Sequence, residues 1–359
     1  MSTTPASKFE QYNLQHYARE VRPHLPAEAF RPATGRLAWL PVHLAIVLGL
    51  SSYIVAAAPP WYVALLCAVV AGQSWAGLAF LAHETLHHAV TKSRVVERLV
   101  GYFGLGIFCL SPVLWTAWHN QAHHGNAGNP NADPDGFGTL RSWKESSGDR
   151  AVEMASPGSG TAWSAAFLFV TFSVHSAVVL LFHSRRDDYY ARISRRVVYA
   201  ETGAMLAFWI AVFLLAGAWS FLFVYVVPVL VANAITMSYI ATNHFLNSLT
   251  AINDPLVNTL SVRGPRLVEA LHLQFGYHVE HHLFPTVSGR YASQVRDVLV
   301  RLYGDRYLSL PHARALRLLY SRPQLHAGYD TLIDPRTQKT FHTLGPGAMS
   351  MEPSPSIGV

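Results

Sequence analysis

The sequence predicts an all-α integral membrane protein: four transmembrane helices in two hairpins, with a cytoplasmic helical cap that carries a histidine-rich site for two metal ions. Three observations predict it. The chain is 51% hydrophobic and only 13% charged, where ordinary chains carry about 25% charged residues. Four apolar runs reach the roughly 20 residues that a bilayer crossing needs. Ten of the 19 histidines gather in three tight boxes and one outlier, more imidazoles than one ion can coordinate.

The runs are residues 37–57, 61–81, 198–216 and 220–241. Residues 1–36 are polar and lack an apolar signal-peptide core, so the first run is expected to serve as its own insertion signal. The links within each pair, Ala58-Pro59-Pro60 and Gly217-Ala218-Trp219, carry no charge. Lys92, Arg94, Arg98, Arg141, Lys144, the Arg185-Arg186 to Arg195-Arg196 cluster and the arginines after Arg263 fall on the other side. By the positive-inside rule the two hairpins therefore keep their ends, and all the histidine boxes, in the cytoplasm. Two further apolar segments, 99–114 and 162–182, would put boxes on opposite faces if either crossed once. The first is short, and the second has cationic flanks and contains Ser173, His175 and Ser176. Both are expected to be interfacial or re-entrant.

The expected organisation is a polar cytoplasmic segment over 1–36, a catalytic membrane domain over 37–330, and a tail over 331–359 that becomes disordered towards its Pro/Gly/Ser-rich end. Cys67 and Cys109 lie in apolar stretches and read as small buried hydrophobes rather than a disulfide or metal knuckle.

The boxes are HETLHH (His83, His87, His88), HNQAHH (His119, His123, His124) and HVEHH (His278, His281, His282), with His244 between the second and third. Residues four apart share a helix face, so His83 projects with His87 and His119 with His123. Adjacent histidines point about 100° apart, so each adjacent pair can serve two ions. His43, His175 and His183 read instead as interfacial or hydrogen-bonding residues, and His16, His24, His272, His312, His326 and His342 as structural or solvated. All-nitrogen ligation suits Fe, Zn, Cu or Ni. Zinc sites use about four ligands, so a redox metal pair accounts for ten histidines more economically.

The order HETLHH, HNQAHH and then HVEHHLFPTVSGRY after two more spans resembles the membrane-bound fatty acid desaturases, especially their acyl-lipid branch. The resemblance runs from about residue 37 to 330. It implies a four-span enzyme holding two iron ions and using dioxygen, with all ten of these histidines as ligands, that introduces a double bond into a long acyl chain. Two departures stand out. Where the acyl-CoA branch has an asparagine four residues before the isolated histidine, this chain has Ile240, and neither Asn243 nor Asn247 has that spacing. The third box opens with His278 rather than the glutamine of front-end desaturases, and no fused haem domain is evident.

Two rival readings use the same residues. HETLH is also an HExxH zinc-protease motif with Glu84 as general base, and Asn131-Ala132-Asp133-Pro134-Asp135-Gly136 matches the NxxPDG string of intramembrane metalloproteases. That reading leaves eight clustered histidines unexplained. A metal carrier would place its polar groups near the bilayer midplane, whereas these boxes sit at or beyond the span ends. Glu84 and Glu280 are candidates for orienting imidazoles or for ordinary solvated or salt-bridged roles. Asp133 and Asp135 read first as turn residues, with a role orienting the imidazoles as the alternative.

On the desaturase reading, Trp115, Trp118, Phe275 and Tyr277 line a substrate tunnel or act as interfacial aromatics. The chain has no dinucleotide motif or cysteine cluster, so electrons must come from an external donor, a ferredoxin or small cytochrome. The expected partners are a membrane lipid or fatty acyl substrate, that donor and the bilayer, with no nucleic acid. The expected location is a bacterial plasma membrane rather than the endoplasmic reticulum. Hydroxylation or ketolation of a lipid or carotenoid by a related di-iron enzyme is the alternative, because the boxes do not distinguish these outcomes.

Overall fold

The computed structural model describes residues 9–183 and 188–346. Arg185 and Arg186, and the tail from 347 onward, lie outside the described residues. Four helices among the described residues are long and apolar enough to cross a membrane: Thr34–Ala57, Trp61–Leu86, Ala162–Leu181 and the 50-residue Arg195–His244. Their regular α-helical parts are α1 (Trp39–Ala57), α2 (Trp61–Leu86), α4 (Phe167–Leu181) and the pair α5 (Arg195–Phe221) and α6 (Val227–His244), while α3 (Arg94–Leu105) follows the first box.

The turn between α1 and α2 is made by Ala58 at φ 42° followed by two prolines, which end one helix and open the next. Arg195–His244 is broken at Gly217, whose φ of 78° and ψ of 164° suit only glycine. The chain doubles back there: Trp209 meets Tyr225 at 4.3 Å and Phe213 meets Phe221 at 5.2 Å, ring to ring. Ala162–Leu181, expected to be interfacial because of its charged flanks and polar residues, is at 20 residues the shortest candidate, yet long and apolar enough to cross. Flanking charge reports orientation and says little about length. The segment 99–114 is interrupted at Cys109 (φ 52°), and the helices on either side, Arg94–Phe108 and Pro112–Asn126, are bent by 96°.

Helix α2 is the centre of the bundle, 61% buried where the other candidates are 17–22% buried. Small residues let its neighbours approach closely. A Cβ on Gly72 would stand 2.6 Å from Val231 of α6, and one on Gly104 of α3 would stand 2.3 Å from the Leu78 carbonyl of α2. Helix α4 is clasped to α6 by Asn233, whose side chain accepts from the Ser173 amide and donates to the Ser173 hydroxyl, both at 2.9 Å.

The remainder forms a cap from short pieces. Box three lies on α7 (His278–Leu283), followed by α8 (Ala292–Tyr303) and α9 (His312–Ser321). Strands β1 (Ser261–Arg263) and β2 (Ser309–Pro311) pair in parallel. The N-terminal helix Leu14–Val21 packs Tyr17 and Val21 into a second core with Leu283, Val295 and Leu299. The tail expected from 331 is folded as far as 346. Strands β3 (His326–Gly328), β4 (Thr331–Ile333) and β5 (Thr340–His342) make an antiparallel sheet, and the Leu344 amide bonds the Leu246 carbonyl at 2.7 Å. Cys67 and Cys109 are free thiols, half-buried rather than fully buried as expected.

Candidate metal centre

Each box is delivered by a different device. His83 lies in the last turn of α2, and His87 caps its C-terminus. Box two rides on a π-helical stretch, Thr116–His123, a rare conformation that recurs at functional sites. Box three is fixed by Ser261 of β1, whose hydroxyl oxygen accepts from the amides of His278 and Val279 at 3.0 and 3.1 Å. His244 ends α6.

These elements bring nine of the ten imidazoles into ring-to-ring contact. Three groups of ligand atoms result among the described residues, each with every atom within 4.8 Å of the others: His83, His87, His119 and His281 in one, His123, His244 and His282 in a second, and His119, His123 and Asp135 in a third that joins the first two. His281 and His282 thus fall into different groups, and His124 lies between them, 4.7 Å from the first ring and 4.3 Å from the second. Ring nitrogens confront one another in series. His119 Nε2 stands 3.0 Å from His83 Nε2 and 3.1 Å from His124 Nε2, and His124 Nε2 stands 3.0 Å from His281 Nε2. His278 and His244 meet likewise at 2.9 Å. His87 Nε2 and both ring nitrogens of His282 are buried without a hydrogen-bond partner. Burial holds His278, His281 and His282 well below the ordinary imidazole pKa, in the neutral form that can ligate a cation. Converging bare nitrogens in a dry site fit transition-metal ions.

The tenth box residue, His88, stands apart. At φ 63° it makes no ring contact with the other nine among the described residues, and its Nδ1 lies 2.6 Å from Glu97.

The carboxylates that meet imidazoles of box two come from the NxxPDG loop. Asp133 accepts from His123 Nδ1 at 2.8 Å and from the Gly128 amide at 2.9 Å. An Nδ1–H committed to Asp133 leaves Nε2 of His123 bare for a metal. Asp135 accepts from Trp118 Nε1 at 2.7 Å and His175 Nε2 at 3.2 Å, with His123 Nδ1 3.5 Å away. The NxxPDG loop is therefore wrapped on box two. Glu84 and Glu280, by contrast, bond elsewhere. Glu84 takes Arg36 Nε at 3.1 Å, the Ser288 hydroxyl and the Gly289 amide at 3.0 Å. Glu280 takes the Ser261 and Tyr307 hydroxyls at 2.6 and 2.5 Å. Both tie the boxes to the cap, so their effect on the imidazoles passes through the backbone. Asp133→Asn is expected to weaken metal binding 10–100-fold, roughly the cost of losing an imidazole's outer partner. Metal titration of the purified variant checks this, and wild-type affinity would show that Asp133 only shapes its turn.

On one side of the histidines lies a cavity of about 140 Å³. His83, His119, His123, His244 and His278 form one wall, and Trp115, Trp118, Phe172, Met237, Ile240 and Phe275 are among its apolar lining. Three of the four expected tunnel aromatics are thus here. Tyr277 instead lines a smaller pocket of about 40 Å³ on the other side of Phe275, with Glu84, Glu280 and His281. Ile240 faces the cavity, while Asn243 is fully buried and leaves both amide atoms without a partner. Of the other histidines, His272 bonds Gln73 and Tyr239 at 2.7 and 2.8 Å and His326 bonds the Asn247 carbonyl at 3.0 Å, while His175 lines the cavity beside Asp135.

Apolar helices long enough to cross a membrane, ending in clustered imidazoles able to hold metal beside an apolar cavity, define the class. The fatty acid desaturase family model matches residues 59–314, and the chain belongs to the fatty acid desaturase family. Among curated relatives, it is similar to the Delta(5) fatty acid desaturase fat-4 of Caenorhabditis elegans, 23% identical over 239 residues, which cover 61% of this chain and 53% of that protein. The chain spans about half the length of that relative.

Proposed function

We propose that this protein is a dioxygen-dependent desaturase that holds two iron ions and places a cis double bond in a long-chain fatty acyl group. The observation that carries this reading is the meeting of nine box imidazoles against an apolar cavity in a member of this family. His83, His87, His119 and His281 would hold one ion and His123, His244 and His282 the other, with His124 and His278 beside them. His88 joins the set only as the family resemblance has it. Bound iron would supply the dioxygen-derived oxidant that an unactivated C–H bond requires. The chain's own residues do the rest. Trp115, Trp118, Phe172 and Phe275 confine a stretch of acyl chain beside the nitrogens and exclude water. Asp133 and Asp135 hold the box-two rings in place.

The two-hairpin topology with the histidines on the cytoplasmic face, in a bacterial plasma membrane, is part of the proposal and rests on the uncharged 58–60 and 217–219 links. An external donor, a ferredoxin or small cytochrome, would deliver electrons on that face. Its acidic surface would be drawn by the arginines there, so turnover with the carrier is expected to fall about tenfold as ionic strength rises from 0.01 to 0.15 M, where the Debye length shrinks from roughly 30 to 8 Å. A rate indifferent to salt would remove the electrostatic part of the docking.

Expression in a host with saturated lipids, followed by mass analysis of its fatty acids, tests the reading. A new double bond is the expected product. A hydroxylated or ketonised product would assign the site to the related hydroxylases and ketolases.

A further inference from the structure

A groove of about 1180 Å³, several times the cavity at the histidines, opens between α1, α3 and α5. Its walls are apolar, with Leu44, Leu48 and Val55 on α1, Phe103 on α3, and Met205 and Phe208 on α5. Leu48 and Phe208 are 62% and 58% exposed. Along α1 it runs from Leu44 to Val55 and along α5 from Val197 to Val212, about 16 and 22 Å of helix at 1.5 Å per residue. That length matches one leaflet, roughly half of a 30 Å hydrocarbon core.

One end of the groove is polar. Arg98 and Tyr102 line it, and both donate to the buried Glu201, at 2.8 and 2.6 Å, while Ser111 donates to its other oxygen at 2.5 Å. Three donors thus satisfy this carboxylate. Arg94 stands one turn before Arg98 on α3, and Arg195 and Arg196 open α5, all three exposed. Among the described residues of α3 and α5, these four arginines stand against two carboxylates, Glu201 and a Glu97 shared by His88 at 2.6 Å and Arg94 at 4.0 Å.

We propose that this groove seats one phospholipid of the bilayer, an acyl chain along α1 and α5 and its phosphate at the arginine end. The apolar length fits the chain and the surplus positive charge fits the head. Gly106 lines the groove, and its neighbour Leu105 lines the cavity beside His83, so a single stretch of backbone separates the seated lipid from the candidate metal centre. The proposal shares with the functional reading only the placement of α1 and α5 in a membrane.

The test is native mass spectrometry of the full chain released from bilayers of equal phosphatidylglycerol and phosphatidylcholine, with metal content measured on the same sample. The wild type is expected to keep one phospholipid, enriched in phosphatidylglycerol. Ala204→Trp, which fills the groove from α5, is expected to lower retention about tenfold, or 1.4 kcal/mol, while Ala207→Trp, exposed on the same helix outside the groove, leaves it unchanged. Replacing Arg195 and Arg196 by Gln is expected to abolish the phosphatidylglycerol preference. Absence of retained lipid, equal retention in Ala204→Trp, an unaltered preference in the arginine variant, or a second polypeptide in place of lipid would overturn the proposal. Lipid retention without metal would sink the metal reading and leave the groove assignment standing.

Discussion

His281→Ala and His282→Ala are each expected to abolish turnover and to lower bound metal by about one ion per chain or more, although the two residues are neighbours. Their side chains belong to different ligand groups, His281 with His83, His87 and His119, and His282 with His123 and His244. Removing one imidazole leaves three nitrogens in the first group and two in the second, which weakens the hold on a transition metal, most in the second. Turnover should vanish in both cases, because the proposed chemistry uses both ions. The check is metal analysis of purified protein beside product formation, with far-ultraviolet circular dichroism to confirm the fold. Full metal content with full turnover in either variant would refute the paired site.

Arg306→Ala is expected to be the most damaging single change to the fold, costing about 3–5 kcal/mol, the range for breaking one partner out of a buried ion pair. Arg306 Nη2 lies 3.0 Å from Asp254 Oδ2, and Asp254 is fully buried. The same guanidinium group donates to the Glu10 carbonyl at 2.8 Å and covers the Tyr12 ring at 4.8 Å. Asp254 also accepts from the Tyr12 amide and the Tyr17 hydroxyl, each at 2.8 Å. Losing the cation strands a carboxylate that pins the N-terminal helix to the cap. The apparent Tm should fall by roughly 5–15 °C, and Asp254→Asn in the same background should recover part of it. A Tm within a degree or two of wild type would show that the pair contributes nothing.

Some of this was legible in the residues themselves. HETLHH, HNQAHH and HVEHH announce a multi-nitrogen site because imidazoles at these spacings share helix faces, and nine of the ten meet. The partners were harder to read, because they depend on how a loop folds back. Asp133 and Asp135 look like turn residues since they do form a turn, and only the fold sets that turn on His123 and Trp118. Glu97 gives no local sign of meeting His88, nine residues before it. Glu84 and Glu280 were open between orienting an imidazole and a salt-bridged role, and the fold sets them on Arg36 and Ser288, and on Ser261 and Tyr307. The sheet between 326 and 342 left no mark in the sequence, because strands of three residues, such as Thr331–Ile333, are too short to show alternation.

Helix α2 runs unbroken from Trp61 to Leu86, about 39 Å at 1.5 Å per residue, and delivers His83 some 33 Å from its start. A hydrocarbon layer of about 30 Å would leave that histidine only a few ångströms past the oily edge. Such a rod cannot shorten, so a thicker or thinner layer must be met by tilt or by local deformation of the lipid. On the proposed function, the depth from which an acyl chain would rise to the nitrogens is then set by the membrane as much as by the protein, and lipid composition would become a control on which carbon arrives there.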